Sequence, residues 1–328
     1  MKTPLSNVRR IALTTGDVYG VGLEVSAKAL ASLSSQIKKE KALFFLFRKH
    51  GQEKKQPQYF KLLDQKFTRL SFKSLDAALG FLNSIQYLEQ LPKNTLIDLC
   101  LKESEAFWVY LATLACKHKL LDSLVTGPLS KTASTKLPHK PIGHTGIFRQ
   151  VFPKNKMHMA FVGQHFNVLL ATDHIAFSNV EKQLANSDLK SAFSAALDLK
   201  KLLKSKKPIG VLGLNPHSSE GGLMGKFEQK NFKKLDAKSF IGPLVPDAAF
   251  LKKNWSRYCV YLCLYHDQGL IPFKMQHGQD SGVHLTMGLP FVRTSVDHGT
   301  AVDIYNQDLA NAHSMRDAIQ LNLKLTRS

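Results

Sequence analysis

The sequence predicts an α/β fold, and three observations carry that expectation. Short apolar runs alternate with segments of helical periodicity along the chain. The polypeptide has 328 residues, 44% hydrophobic and 21% charged, which suffices for two lobes or one large α/β domain around a real core. Polar clusters directly follow four of the apolar runs: Thr126-Gly-Pro, Thr172-Asp-His174, Asn215-Pro-His217 and His266-Asp-Gln268. Ligands of open α/β sheets bind beyond the carboxyl ends of the strands, so these clusters point to one composite site.

Taken in order, Ile11–Leu13 reads as a first strand, and the glycine-rich turn from Gly16 to Gly22 leads into a helix over Glu24–Leu33. Ala42–Phe47 reads as a second strand, Ser104–His118 as a helix and Leu121–Val125 as the next strand. Met159–Val162 and Phe166–Ala171 are strand-like, and Val180–Leu203 is helical and ends in lysines. Ile209–Gly213 predicts a strand, Asp247–Trp255 a helix and Tyr258–Tyr265 a strong strand. No internal repeat or low-complexity linker interrupts the pattern.

The formal net charge is +20. Such an excess attracts anions, either nucleic acid or phosphorylated small molecules. Much of it, however, sits in runs such as Lys38–Lys41, Lys200–Lys207 and Lys233–Lys234, which suit solvated helix faces. No zinc-finger, helix-turn-helix or RNP-like pattern accompanies the charge, so no nucleic-acid partner is expected. Four cysteines, Cys100, Cys116, Cys259 and Cys263, show no CxxC spacing and read as buried reduced thiols, which fits a cytoplasmic protein. The first ten residues lack a signal-peptide apolar stretch, and no run approaches the roughly 20 apolar residues of a membrane helix, so no membrane partner is expected.

His174, His217 and His266 each stand just past a predicted strand. Three imidazoles from separate loops can bind a divalent metal and leave positions open for substrate; any one of them alone reads better as a hydrogen-bonded loop residue, and it is the shared topological position of all three that brings the metal reading level with it. Asp267 adjoins His266 and can orient it or act as an acid or base; Asp247 follows Pro246 and fits either acid/base work or a helix N-cap. Asp173 reads as a local turn or surface residue. Gly143-His-Thr145 offers loop amides, an imidazole and a hydroxyl, and Lys274 with Arg293 would suit a phosphate and a carboxylate. The small residues of Gly213–Gly222 predict a tight loop near a ligand. Asp297-His-Gly-Thr300 can hold an adenosine or ribose, but neither GxGxxG nor a Walker motif is present.

Together these blocks resemble the 4-hydroxythreonine-4-phosphate dehydrogenase family of pyridoxal phosphate biosynthesis. The matching residues are Thr15-Gly-Asp17 with Gly20, Gly22 and Glu24; Thr126-Gly-Pro-Leu-Ser-Lys131; Gly143-His-Thr145; Gly213-Leu-Asn-Pro-His217 with Glu220-Gly-Gly222; Gly242-Pro-Leu with Pro246-Asp247; Tyr265-His-Asp-Gln-Gly269; and Gly288 through Thr300. The region from about Leu30 to Leu120 carries little of it.

The resemblance implies two α/β lobes flanking a cleft, as in isocitrate and isopropylmalate dehydrogenases. Residues 1–128 and 290–328 would form an outer, cofactor-binding lobe, and residues 129–289 a central lobe with the metal ligands and dimer interface. It implies a homodimer in which His174 and His217 meet His266 of the partner subunit around one divalent metal (zinc, magnesium or cobalt). It implies substrate contacts from His144, Thr145, Lys274, His284 and Arg293, NAD or NADP held near Asp297, Gly299 and Thr300, and proton carriers among Asp247, Asp267 and Lys274. The expected reaction is NAD-linked oxidation of 4-phosphooxy-L-threonine followed by decarboxylation. His284 stands where the family usually has Asn, Val18 and Leu23 replace common prolines, and Gly146 replaces a usual Glu. These departures keep open a relative acting on threonate or erythronate phosphate, or on a dihydrodiol acid.

Overall fold

The computed structural model describes residues 3–326 except 136, 234, 279 and 280, with backbone alone at 186 and 187. Lys234 of the expected lysine run therefore lies outside the described residues. Along the chain run β1 (Arg9–Thr14), α1 (Gly22–Lys39), β2 (Ala42–Lys49), α2 (Gln52–Lys55), α3 (Pro57–Asp64), β3 (Thr68–Phe72), α4 (Leu75–Asn83) and β4 (Thr95–Leu101). Then come α5 (Glu105–Lys117), β5 (Ser123–Thr126), α6 (Lys131–Ser134), α7 (Gly143–Val151), β6 (His158–Val162), β7 (Asn167–Leu170), α8 (Val180–Gln183), α9 (Leu189–Leu202) and β8 (Ile209–Leu212). The chain ends with α10 (Phe227–Asn231), β9 (Phe240–Leu244), α11 (Pro246–Ala249), β10 (Val260–Cys263), α12 (His266–His277), β11 (Val283–Met287), β12 (Val292–Ser295) and α13 (His313–Leu325).

Two compact units result: residues 1–155 with 289–328, and residues 156–288. Residues 129–155, assigned from sequence to the central lobe, belong to the first unit, where α7 packs on α5.

In the first unit the strands run in the order β3-β4-β2-β1-β5-β12, all parallel. The apolar runs explain the order. Ile11, Ala12 and Leu13 of β1 are fully buried, as a strand covered on both faces requires. Helix α5 begins where the Ser104 hydroxyl caps the Phe107 amide, and it lies on β1, β2 and β5. Buried Asn322 ties α13 to the sheet: its Oδ1 accepts from Ser123 Oγ (2.6 Å) and its Nδ2 donates to the Leu124 carbonyl (3.3 Å). Toward the β3 edge, fully buried Asp98 accepts from Arg48 Nε (2.6 Å), Arg69 Nη1 (2.7 Å) and Ser71 Oγ (2.9 Å), with both guanidinium groups over the Phe60 ring.

The second unit has the order β11-β6-β7-β10-β8-β9, with β11, β6 and β7 antiparallel to their neighbours in turn and β7, β10, β8 and β9 parallel. Helix α9 covers β7, β8 and β10. The expected helix over Val180–Leu203 is realised as α8 and α9 joined by a π-turn at Leu184–Asp188. Of the helix predicted over Asp247–Trp255, only the first turn is formed, as α11. Leu251 is extended (φ −60°, ψ 138°) and separates α11 from a 3-10 turn at Lys252–Asn254. Side chains take the freed carbonyls: Asn254 Nδ2 donates to Ala248 O (2.9 Å) and Trp255 Nε1 to Phe250 O (2.7 Å).

Candidate active site

Because β7, β10 and β8 are parallel, their carboxyl ends emerge at one edge of the second unit. Thr172-Asp-His174 follows β7, and His266 is the first residue of α12, just beyond β10. The two imidazoles meet, with ring centroids 4.8 Å apart. His174 Nδ1 donates to Asp173 Oδ1 and His266 Nδ1 to Asp267 Oδ1, each at 2.7 Å. A carboxylate on Nδ1 fixes the tautomer and leaves the Nε2 lone pair for a ligand. Asp173 is therefore more than the turn or surface residue expected from sequence: it orients His174. These four residues, with Thr172 and Tyr265, line a cavity of about 450 Å³. Sequence expectation put His266 in the partner subunit's contribution; within one chain it already adjoins His174.

His217 stands on the loop after β8 and is not among the residues lining that cavity. Among the described residues of one chain, no group of three or more His, Cys, Asp or Glu is gathered as a cation site. The His217 loop has an unusual backbone: His217, Ser218, Ser219, Glu220 and Gly221 all have positive φ, between 42° and 70°. Non-glycine residues hold this conformation only when neighbours over-determine it. Buried Glu228 of α10 does so. Its Oε1 accepts from the Leu214 and Asn215 amides, each at 2.8 Å, and its Oε2 from Asn215 Nδ2 (3.0 Å) and from the Ser219 hydroxyl. Burial raises the Glu228 carboxyl pKa, but the bonds from Asn215 and Ser219 outweigh it and hold the carboxyl below its ordinary range.

Asp247 is exposed in the first turn of α11 and makes no capping bond; Val245 occupies the cap position, which corrects the N-cap alternative. Lys274 is exposed in the last turn of α12. His284 lies on β11, stacked on Phe161 with centroids 5.1 Å apart.

The first unit collects the anion-binding candidates. Arg293 of β12 is fully buried, donates to Thr126 Oγ1 and lies over the Phe148 ring at 5.2 Å. Burial lowers its pKa to about 9, so it stays cationic at neutral pH with little water around it. Phe148 belongs to α7, whose first turn carries Gly143, His144 and Thr145; the expected loop is thus a helix N-terminus, where amides and helix dipole favour an anion. Nearby, the Gly16–Gly22 turn is packed against its neighbours. A Cβ at Gly16 would lie 2.0 Å from Pro128 O, and one at Gly20 2.5 Å from Thr300 O. The Thr300 carbonyl accepts from the Val21 amide (3.0 Å), the Asp297 amide donates to Ser314 Oγ (3.1 Å), and Gly299 borders open space.

Glu228 was not legible as a site residue. Its only sequence signal is one acid shortly after a glycine-rich loop.

Comparison with known proteins gives a consistent result. The family described as "Pyridoxal phosphate biosynthetic protein PdxA" matches residues 97–322, more than half of the chain. A 4-hydroxythreonine-4-phosphate dehydrogenase of Sulfurimonas denitrificans is 31% identical over 96% of this chain and 97% of its own length. One from Geobacter metallireducens is 35% identical over 66% of each protein. The solved structure of a putative 4-hydroxythreonine-4-phosphate dehydrogenase from Salmonella typhimurium superposes with a TM-score of 0.77 at 25% identity, over 98% of this chain and all of that one. Through its fold, its motif-bearing strand ends and these matches, the chain belongs to the family of pyridoxal phosphate biosynthetic protein PdxA.

Proposed function

We propose that this chain is a metal-dependent, NAD(P)-linked dehydrogenase that oxidises 4-phosphooxy-L-threonine at its secondary hydroxyl. The β-keto acid formed then loses carbon dioxide to give 3-amino-2-oxopropyl phosphate. The observation that carries this reading is the His174–His266 pair, each imidazole backed by a carboxylate and both facing one cavity.

That pair, with its two carboxylates, fits a divalent metal such as zinc or cobalt better than magnesium, and His217, which does not line this cavity within one chain, is proposed as the third ligand in the dimer. When bound, the metal supplies Lewis-acid polarisation of the substrate hydroxyl. NAD or NADP supplies the hydride acceptor, and the Asp297–Thr300 loop, open at Gly299, fits its ribose. The chain's own groups do the rest. Buried Arg293 binds a substrate anion, and His144, Thr145 and the amides at the start of α7 bind the phosphate. Lys274 and His284 complete substrate recognition. Asp267 is committed through Oδ1 to His266, so it orients, and proton transfer falls to Lys274 Nζ or the Asp247 carboxyl. The functional molecule is proposed to be a homodimer with shared sites.

The assay is NAD(P) reduction with phosphorylated 4-hydroxythreonine, before and after chelation. We expect turnover that chelator abolishes and a divalent metal restores. No turnover in the metal-loaded protein would remove the substrate; turnover indifferent to thorough chelation would remove the metal. A second reading, a relative acting on threonate phosphate, erythronate phosphate or a dihydrodiol acid, rests on His284 stacked on Phe161 in place of the usual Asn. The same assay across those substrates separates the two.

A further inference from the structure

Strand β10 lies between β7 and β8, with Cys263 opposite Leu170 and Leu262 opposite Val211. The last backbone bond on the β7 side runs from the Ala171 amide to Cys263 O (2.8 Å). Beyond this level the three strands end and the segments that carry His174, His217 and His266 begin. Two side chains take over where the ladder stops. Gln268 Oε1 accepts from the Leu264 amide (2.7 Å), and its Nε2 donates to the Gly213 carbonyl (2.7 Å). Thr172 Oγ1 donates to the Leu264 carbonyl (2.9 Å).

Continued by two residues, the register of Leu262 and Val211 sets Leu264 opposite Gly213, the two residues that Gln268 bridges. A side-chain amide carries the same donor and acceptor as a peptide group, and here it acts as a peptide link inserted between strands. All three anchors are buried: Thr172 is 2% exposed, Leu264 0% and Gln268 9%. Each lies close in sequence to a candidate ligand. Thr172 precedes His174 by two residues, Gln268 follows His266 by two, and Gly213 precedes His217 by four. Leu264 is the hub: its N–H is held by Gln268 in the first turn of α12 and its C=O by Thr172 just beyond the end of β7.

We propose that Gln268 is a positioning residue which, with Thr172, fixes the mutual placement of the three histidine loops and thereby sets the affinity for a divalent cation. It touches neither cation nor substrate. The proposal deepens the metal-site reading and rests on it.

The test uses the purified full chain, stripped of metal and titrated with Co²⁺, whose visible absorption reports ligation. Thermal melts of the metal-free proteins check folding. Gln268→Met keeps length and volume but lacks the amide; Thr172→Val removes one hydroxyl. His174→Ala is the control for the site. The expected result is a histidine-dependent Co²⁺ spectrum in the wild type, with Kd raised about 10- to 100-fold in Gln268→Met and about 10-fold in Thr172→Val. Turnover of Gln268→Met should recover at saturating Co²⁺, which a general structural defect would not allow. Wild-type affinity in folded Gln268→Met overturns the proposal and leaves the metal site standing. Should Gln268→Met fail to fold, Thr172→Val decides, and wild-type affinity there overturns it equally. No Co²⁺ spectrum in the wild type, or one unchanged in His174→Ala, removes the metal site and this role with it.

Discussion

His277 shows how single residues set the pH limits of this molecule. Its Nδ1–H donates to Phe273 O (2.9 Å) and its Nε2 accepts from the His165 amide (3.1 Å), so the bonds are satisfied by a neutral ring. Burial lowers its pKa below the ordinary 6.5. His158, bonded to Leu170 O and Ser191 Oγ, is lowered by burial too. A histidine depressed in the folded state binds fewer protons there than in the unfolded chain. Its contribution is therefore complete above the unfolded value of 6.5 and is lost as pH falls through and below it. The melting temperature should be flat from pH ~8 to ~7 and decline toward pH ~5. His277→Gln, measured by thermal melts across that range, should show a shallower decline; an unchanged slope would exclude His277 as a source. The orienting roles of Asp173 and Asp267 belong to the same scale. The adjacency of His to Asp is printed in the sequence, but the carboxylate contact depends on rotamers that no spacing reveals.

At the scale of elements, the ion cluster on β4 carries a clear expectation. Asp98→Ala would take from Arg48, 1% exposed, and half-buried Arg69 the buried carboxylate they share, leaving them the more exposed Glu53, and Arg69 also Asp64. Removing one partner of a buried ion pair costs about 3–5 kcal/mol, so urea unfolding should shift by that order. A loss under about 1 kcal/mol would mean that solvent replaces the carboxylate. This cluster lies in the stretch of the chain with the weakest family resemblance, and nothing in its spacing announced it. Strands β1, β2, β5, β7, β8 and β10 were legible because each is a continuous apolar run, buried on both faces. The segment 247–255 was misjudged because its periodicity is helical while Asn254 and Trp255 satisfy the carbonyls without a helix. Gln268 was visible as a motif member, yet its bridging of Leu264 and Gly213 requires knowing that β10 and β8 are neighbours.

At the scale of the whole molecule, the excess of positive charge matches a proposed phosphorylated substrate and dinucleotide, and among the described residues no helix is long and apolar enough to cross a membrane. The proposed sharing of sites between subunits has a direct check. His217→Ala and His266→Ala chains, each inactive, are mixed under conditions that exchange subunits. Regained NAD reduction is expected where the two ligands come from different chains. None, with exchange verified by mass, would assign both to the same chain.

The first unit is built from both ends of the polypeptide, whereas residues 156–288 are one uninterrupted stretch. During synthesis on a ribosome, β5 must therefore wait for β12 and α13, which emerge only after the entire inserted unit has left the exit tunnel. The insert has all its strands in hand earlier. A gene fragment encoding residues 156–288 keeps every strand of that unit in one stretch, whereas the other unit needs residues from before and after the insert.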